Sequence, residues 1–215
     1  MKILIQAGAN VNQAETKYGC TPLHTAAEKG NVDILKVLIK AGGNVNQTSP
    51  TTGISPLYLA SQNGNIDTVK VLIHAGGNVN KVVTPTGASP YVASSPLYIA
   101  SERGNIDTVK VLIKAGANVN QAETTNGASP LLTASINGNV DTVKVLIEAG
   151  GNVSTFQTPL NTASYQGKIN IVRLLLQQPN IYLNKKDKWN TTALGVATQN
   201  NHTDVIQLLT NAGAK

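Results

Sequence analysis

Apolar positions in the segment 65–77 are spaced as one face of a helix. They are Ile66, Val69, Leu72 and Ile73, which fall at i, i+3, i+6 and i+7 and so follow a helical period. Val71 widens this face, as expected for a helix packed between neighbouring elements. Gly76 and Gly77 follow directly, and glycine commonly ends helices because it tolerates a positive φ. The pattern therefore predicts an amphipathic helix that ends at these glycines.

A shorter helix is predicted before each helix of this kind. Thr or Ser precedes Pro-Leu there, so a side-chain oxygen can cap the helix while proline presets the first φ. The Thr/Ser-Pro-Leu strings begin at Thr21, Ser55, Ser95, Ser129 and Thr158, with Thr192-Ala-Leu as a weaker sixth copy. Eight residues after each proline, or after Ala193, comes a residue able to close the helix: Gly30, Gly64, Gly104, Gly138, Gly167 and Asn201. Together these signals predict helical hairpins.

The hairpins repeat along the whole chain. The string AGxNVN, or a close relative, occurs at 7–12, 41–46, 75–80, 115–120 and 149–154. Successive prolines, with Ala193 in the sixth place, are 34, 40, 34, 29 and 34 residues apart. The irregular spacing lies between the units and never within them. Internal repetition of this length predicts an array of stacked units.

The residues of the first unit carry a family resemblance. Thr21-Pro-Leu-His-Thr-Ala-Ala, followed by Gly30 and Val37-Leu-Ile, resembles the ankyrin repeat, whose hallmark is TPLHxA on a 33-residue period. The resemblance covers essentially the whole chain and implies an all-α solenoid of helix–turn–helix units with protruding β-turn fingers. It implies an N-terminal half repeat, 1–12, and six full repeats, at 13–46, 47–80, 81–120, 121–154, 155–184 and 185–215.

Three inter-unit segments depart from the regular period. About six extra residues at 88–93 predict a longer finger, because a helix started at Ser89 would place Pro96 in its interior at a cost of about 3 kcal/mol. About five residues are missing between Asn152 and Thr158, relative to the repeat period, which predicts a stunted finger. Residues 178–184 replace the glycine ending with a proline stop.

The two ends of the array differ. The last unit is polar and degenerate, with Gly195 in the place of His24, as expected for a terminal cap. Residues 1–8 have the pattern of a second helix without its partner, so Ile3, Leu4 and Ile5 are expected to lose part of their cover. This favours a truncated chain or an edge covered by something else.

Composition and charge refine this interpretation. Only 4% of the residues are aromatic and 41% are hydrophobic, so the core is expected to be aliphatic. The net charge is +6, but the second helices carry pairs that neutralise one another: Asp33/Lys36, Asp67/Lys70, Asp107/Lys110 and Asp141/Lys144. The excess lies at 151–215, where six Lys/Arg face two Asp, a net +4. Nucleic-acid binding through this basic third is disfavoured relative to a solvated turn.

Residues that could support catalysis are scattered. The histidines His24, His74 and His202 occupy different units, and no nucleophile, metal or phosphate-binding motif is present. His24 is most simply a helical residue that bonds to nearby backbone. The single cysteine, Cys20, excludes an internal disulfide framework and slightly favours a reducing compartment. We therefore expect no enzymatic activity, metal, cofactor or small-molecule substrate. We also expect no membrane span, since no long apolar run occurs, and an intracellular, cytoplasmic location.

The resemblance implies that a protein partner contacts the finger tips and the concave face made by the first helices. Carried over position by position, the candidate residues are Lys17, Tyr18, Glu28, Lys29, Thr52, Ile54, Gln62, Asn63, Tyr91, Glu102, Arg103, Asn126, Ile136, Asn137, Tyr165, Gln166, Lys188 and Trp189. Ile136, Tyr165, Tyr91 and Trp189 are the preferred anchors, since large apolar and aromatic groups dominate interface energies. Burial against the adjacent unit is the alternative for each of them.

The favoured function is a non-enzymatic scaffold that binds a protein partner. The main alternative is a regulatory segment of a larger protein whose enzyme or channel module is absent here. The step from fold to function rests on analogy with the family.

Overall fold

The computed structural model describes residues 2–83, 93–125, 127–154 and 158–215. In these ranges the chain is helical and contains no strand. The helices are α1 (Lys2–Gln6), α2 (Pro22–Glu28), α3 (Val32–Lys40), α4 (Pro56–Gln62), α5 (Ile66–His74), α6 (Pro96–Arg103), α7 (Ile106–Lys114), α8 (Pro130–Asn137), α9 (Val140–Glu148), α10 (Pro159–Tyr165), α11 (Ile169–Leu176), α12 (Ala193–Gln199) and α13 (Thr203–Asn211). The predicted all-α, helix–turn–helix class is confirmed.

The first helix of each pair begins at the predicted capping sequence. Helix α6, for example, starts at Pro96, and the Oγ atom of Ser95 accepts the backbone N–H of Tyr98 at 3.2 Å. Pro96 therefore stands at the first helical position, where its missing N–H costs nothing. The register with the longer finger predicts this start, although most of that finger, 84–92, lies outside the described residues.

Positive φ closes the first helices as predicted. Gly64 has a φ of +68° and Asn201, its counterpart in the last pair, has a φ of +57°. A Cβ atom on Gly64 would lie 2.9 Å from the Oδ1 atom of Asn105 in the next pair. Glycine is needed there for both its backbone conformation and its small size.

The helix pairs stack in a single row. The first helices α2, α4, α6, α8, α10 and α12 pack successively against one another, the second helices α3 to α13 form a parallel row, and the first-helix row is the more extensively packed. One aliphatic core runs through the array. Its centre is built from Leu23, Leu57, Leu97, Leu131 and Leu160, each 1% exposed or less. Burial of such side chains drives the stacking.

Asparagine side chains join successive pairs on two edges of the array. The Asn105 amide donates to the backbone carbonyls of Ser61 and Gln62 at 2.9 and 3.0 Å. In the AGxNVN loops, the Asn46 amide donates to the Gly76 carbonyl at 2.9 Å, and its Oδ1 atom accepts the N–H of Asn78 at 2.8 Å. These bonds satisfy backbone groups that helix ends leave unpaired. The repeated asparagines are therefore structural.

The structure also shows how far the first helix is covered and which charged pairs of the second helices meet. On α1, Ile3 and Leu4 are exposed while Ile5 is partly buried against the core. Of the four acid–base pairs on the second helices, only Asp67 and Lys70 come within ion-pair distance, at 3.3 Å. None of the helices in the described ranges is both long and apolar enough to span a membrane.

Candidate functional site

The C-terminal ends of the first helices present the predicted contact residues along one surface, here called the inner surface. Besides Ile136, seven of these side chains are exposed: Glu28, Lys29, Asn63, Arg103, Asn137, Gln166 and Tyr165, the last at 58%. Ile136 is exposed at 38%, while Gln62 and Glu102 are half-buried. The buried leucines beneath are the same from pair to pair, whereas the exposed side chains above them differ.

The first finger is built around a carboxylate. The Glu15 oxygens accept the backbone N–H groups of Lys17 at 2.7 Å and Tyr18 at 2.6 Å, and also that of Cys20 at 3.2 Å. These bonds favour the charged form and lower the pKa of the Glu15 carboxyl, with the Cys20 N–H as the largest cause. The turn holds Lys17 and Tyr18 exposed at its tip, with the Lys17 Nζ atom 4.7 Å from the Tyr18 ring centre.

The second finger corrects two of the predicted contact residues. Thr52 is 7% exposed and Ile54 is 3% exposed, so neither offers a surface to a partner. The Ile54 side chain packs with Tyr58 and Val83 in a small apolar cluster, and its carbonyl lies 3.2 Å from the Nε2 atom of His24 in the preceding pair. Ile54 directly precedes the cap residue of α4, where the chain turns in between two stacked units.

Two further candidates, Tyr91 and Asn126, lie outside the described residues.

The last finger, 187–191, is also built around a carboxylate. The Oδ1 atom of Asp187 accepts the N–H groups of Trp189 at 2.9 Å and Thr191 at 3.0 Å. The Lys188 Nζ atom lies 4.2 Å from the Trp189 ring centre, within the range of a cation–π contact. Trp189 is 73% exposed.

A cavity of about 540 Å³ separates this finger from α10 and α12. It is lined by three of the predicted contact residues, Tyr165, Lys188 and Trp189, although Tyr165 precedes the other two by more than twenty positions in the sequence. The remaining lining residues are Thr158, Asn161, Thr162, Asp187, Thr191, Val196 and Gln199. This size is within the range of about 300–1,000 Å³ that is usual for ligand pockets.

Asn161 fixes the position of the last finger and is not among the contact residues predicted from the sequence. Its buried side-chain amide donates to the carbonyls of Thr191 at 2.9 Å and Lys185 at 3.3 Å. Asn161 occupies the same place in α10 as His24 in α2: each directly follows Thr-Pro-Leu and is the third residue of its helix. In both pairs this residue reaches the next finger, so the register was the signal that could have identified it.

The histidines His24 and His202 make hydrogen bonds to backbone groups of the fold. The Nδ1 atom of buried His24 accepts the Thr21 N–H at 3.1 Å, so its Nε2–H donates to Ile54. Burial lowers the pKa of the His24 ring and raises that of the half-buried Cys20 thiol, so His24 is neutral and Cys20 is protonated at neutral pH. His202 Nε2 bonds to the Tyr165 carbonyl at 2.8 Å. Across the described part of the chain, no group of three His, Cys, Asp or Glu could hold a metal ion.

Known proteins show the same architecture. The solved structure titled "Crystal structure of human ASB11 ankyrin repeat domain" superposes with a TM-score of 0.85 at 28% identity, covering 98% of this chain and 90% of the human one. A search of curated protein sequences gives no match.

The family comparison extends over nearly the whole sequence. The family described as "Ankyrin repeats (3 copies)" matches residues 1–83, 86–157 and 150–215. Ankyrin repeats generally form protein–protein interaction modules. A match of this extent, carried by capped helix pairs stacked in one row, shows that the chain belongs to the ankyrin repeat family.

Proposed function

We propose that this chain is a non-catalytic scaffold that binds a partner protein through its finger tips and inner surface. The family supplies the general class of function, and the local chemistry supports a specific surface. The side chains at the ends of the first helices change from Glu28-Lys29 to Ile136-Asn137 to Tyr165-Gln166. Variation at exposed positions above a fixed core lets one fold recognise a particular partner.

The observation that carries the proposal is the pairing of two exposed aromatic residues across one cavity. Tyr165 and Trp189 both line it, and both remain largely accessible. Tyrosine and tryptophan are enriched among the residues that dominate binding energy. Two such side chains around a concave site form an anchor for a protruding side chain of the partner.

The test compares proteins captured from a cell extract by the wild-type chain and by a Tyr165→Ala/Trp189→Ala variant. We expect the variant to lose the specific partner, because removing two anchor side chains costs about 2 kcal/mol or more of binding energy. Circular dichroism of the variant should match the wild type, since both side chains are exposed.

Tyr182→Ala is the matched control. Tyr182 is 66% exposed and does not line the cavity, so its removal should leave capture unchanged. Equal capture by the wild type and the double variant would reject the inner surface as the binding site. Unfolding of the double variant would show that the two aromatics are structural.

A further inference from the structure

We propose that the cavity between Tyr165 and Trp189 binds an acidic segment of the partner that inserts one large apolar side chain. This inference rests on the proposed function and specifies the chemistry of the partner.

The walls of the cavity favour an apolar anchor. Tyr165 and Trp189 provide aromatic surface, and Val196 adds an aliphatic contact. The polar groups of the wall are partly engaged already, since the Asn161 amide bonds to the Thr191 carbonyl at 2.9 Å. An inserted aromatic or large aliphatic side chain would bury apolar surface of these residues, which is the main source of affinity at such sites.

The charge at the rim favours acidic residues next to that anchor. Lys188 lines the cavity and Lys186, two residues earlier, is exposed. The Oδ1 atom of Asp187, which also lines the cavity, accepts two backbone N–H groups of the turn, and its negative charge offsets one of the three lysines Lys185, Lys186 and Lys188. The Lys185 ammonium donates to the Ser154 carbonyl at 3.0 Å. The charge presented to a partner is therefore positive.

The neighbouring inner helices do not offset this charge. Helices α8, α10 and α12 contain no acidic or basic residue. Further toward the N-terminus, the inner surface carries Glu28 beside Lys29 and Glu102 beside Arg103. Lys168, beside the C-terminal end of α8, adds a further positive charge, so the excess lies at this end of the array, and complementary charge steers a partner there.

A protein segment fits these features better than a nucleic acid. A single strand needs a groove of cations along its phosphates as well as aromatic stacking. Here α8, α10 and α12 supply no lysine or arginine, and Lys168, whose Nζ atom would lie 3.4 Å from a Cβ on Gly138, adds a single cation and not a continuous groove. A short acidic segment with one anchor needs only the two lysines and the aromatic pair.

The test begins with a random twelve-residue peptide-display library selected on the full wild-type chain. We expect the enriched peptides to carry a net negative charge and at least one large apolar residue. Synthetic peptides from this set, with any tryptophan replaced by phenylalanine, are then titrated while tryptophan emission is followed. Trp189 is the only tryptophan of the chain, so a blue shift on binding reports its burial in the complex.

Charge reversal tests the rim directly. In Lys186→Glu/Lys188→Glu, the dissociation constant of an acidic peptide should rise about ten-fold or more, since charges next to an anchor contribute strongly to affinity. Lys110→Glu/Lys144→Glu makes the same change of net charge on the second helices α7 and α9, where both lysines are exposed. It should change the constant less than about two-fold, because charges far from the site are screened.

The outcomes separate this inference from the function on which it rests. Basic or neutral peptides that still shift Trp189 emission would overturn the acidic assignment and leave the protein-binding function standing. Peptides that bind without a Trp189 shift would reject the cavity as the site. A single-stranded oligonucleotide that shifts Trp189 and binds more tightly than the peptides would overturn the choice of a protein ligand. Failure to enrich any peptide would count against both proposals.

Discussion

The first and last fingers use the same chemistry in different surroundings. Each is closed by a carboxylate that accepts backbone N–H groups, Glu15 in one and Asp187 in the other. Each presents a lysine over an aromatic ring, Lys17 over Tyr18 and Lys188 over Trp189.

Their surroundings decide what each finger can do. The carbonyl of Tyr18 accepts hydrogen bonds from the Ser49 and Thr51 hydroxyls of the second finger, so the first finger is packed by its successor. The last finger is instead held to the preceding helix α10 by the hydrogen bond from the Asn161 amide to the Thr191 carbonyl, and a cavity lies between them. A local turn motif is therefore reused, and stacking determines whether it becomes a packing contact or the wall of a site.

The largest effect is expected from a side chain that overlaps Pro50, the residue against which the first finger packs at Gly19. Gly19 has a φ of +66°, and a Cβ there would lie 2.5 Å from the Cδ atom of Pro50. Gly19→Ala should therefore lower the free energy of unfolding by about 2 kcal/mol or more, from left-handed strain and overlap together. Urea denaturation followed by circular dichroism measures this loss.

Gly127→Ala is the control for backbone strain alone. Gly127 has a similar φ of +74°, but a Cβ there would meet nothing within 4 Å. Its cost should be about 1 kcal/mol. Equal losses for the two variants would show that the contact of the first finger with Pro50 contributes nothing.

The next prediction concerns the support of the last finger. Asn161→Ala removes the amide that bonds to the Thr191 and Lys185 carbonyls and should cost about 1–2 kcal/mol. The emission of Trp189 should change as well, because its finger loses this tie to α10. In Asn137→Ala the lost amide donates to the Thr133 carbonyl of its own helix, so the change should cost less than about 0.5 kcal/mol and leave the emission unchanged.

Acidification distinguishes the two ends further, because His24 titrates and Asn161 does not. Burial lowers the pKa of His24 in the folded chain, so the unfolded chain binds a proton more readily. The stability contributed by the neutral ring is complete above its ordinary pKa of about 6.5. It is lost as the pH falls from there through the lowered pKa.

Amide hydrogen exchange locates that loss. Exchange should accelerate around the contact of His24 with Ile54 at acidic pH, before any change near Trp189. His24→Gln should remove this part of the pH dependence. A wild-type profile that stays flat across the acidic range, or that loosens first at Trp189, would contradict the role of His24.

The smallest effect is expected from the Glu15 carboxyl, which is fully exposed. Its pKa is lowered in the folded chain, so its contribution is present above its usual pKa and is lost as the pH falls through the lowered value. Nuclear magnetic resonance should show the Lys17 and Tyr18 amide signals of the first finger moving with this titration. Glu15→Gln should abolish the movement, and an unchanged titration in that variant would assign it to another group.

Local residues were enough to predict the helices and their ends. Ser95 before Pro96 fixed the start of α6 in spite of the irregular spacing before it, because capping and proline geometry act within one turn. Simple pairing rules were less successful. Asp107 and Lys110 have the same spacing as Asp67 and Lys70, yet only the latter pair meets, since exposed ion pairs gain little over solvation.

The candidate site was also only partly predictable from the sequence. The sequence identified Tyr165 and Trp189 as separate anchors on different units, but their common cavity depends on how α10 and the last finger stack. It also placed Thr52 and Ile54 at a finger, where only the neighbouring unit determines that they are buried. The importance of Asn161 follows from the carbonyls that the next finger brings within reach.

The sequence by itself determined the helical hairpins, their register, the turn glycines and the all-α repeat class of this protein. These depend on dihedral preferences and hydrogen bonds between residues a few positions apart, which the local sequence contains. Only the tertiary structure decided which finger residues face solvent and which side chains share a cavity. Those relations join atoms from different repeats, and their geometry is set by core packing across the whole stack.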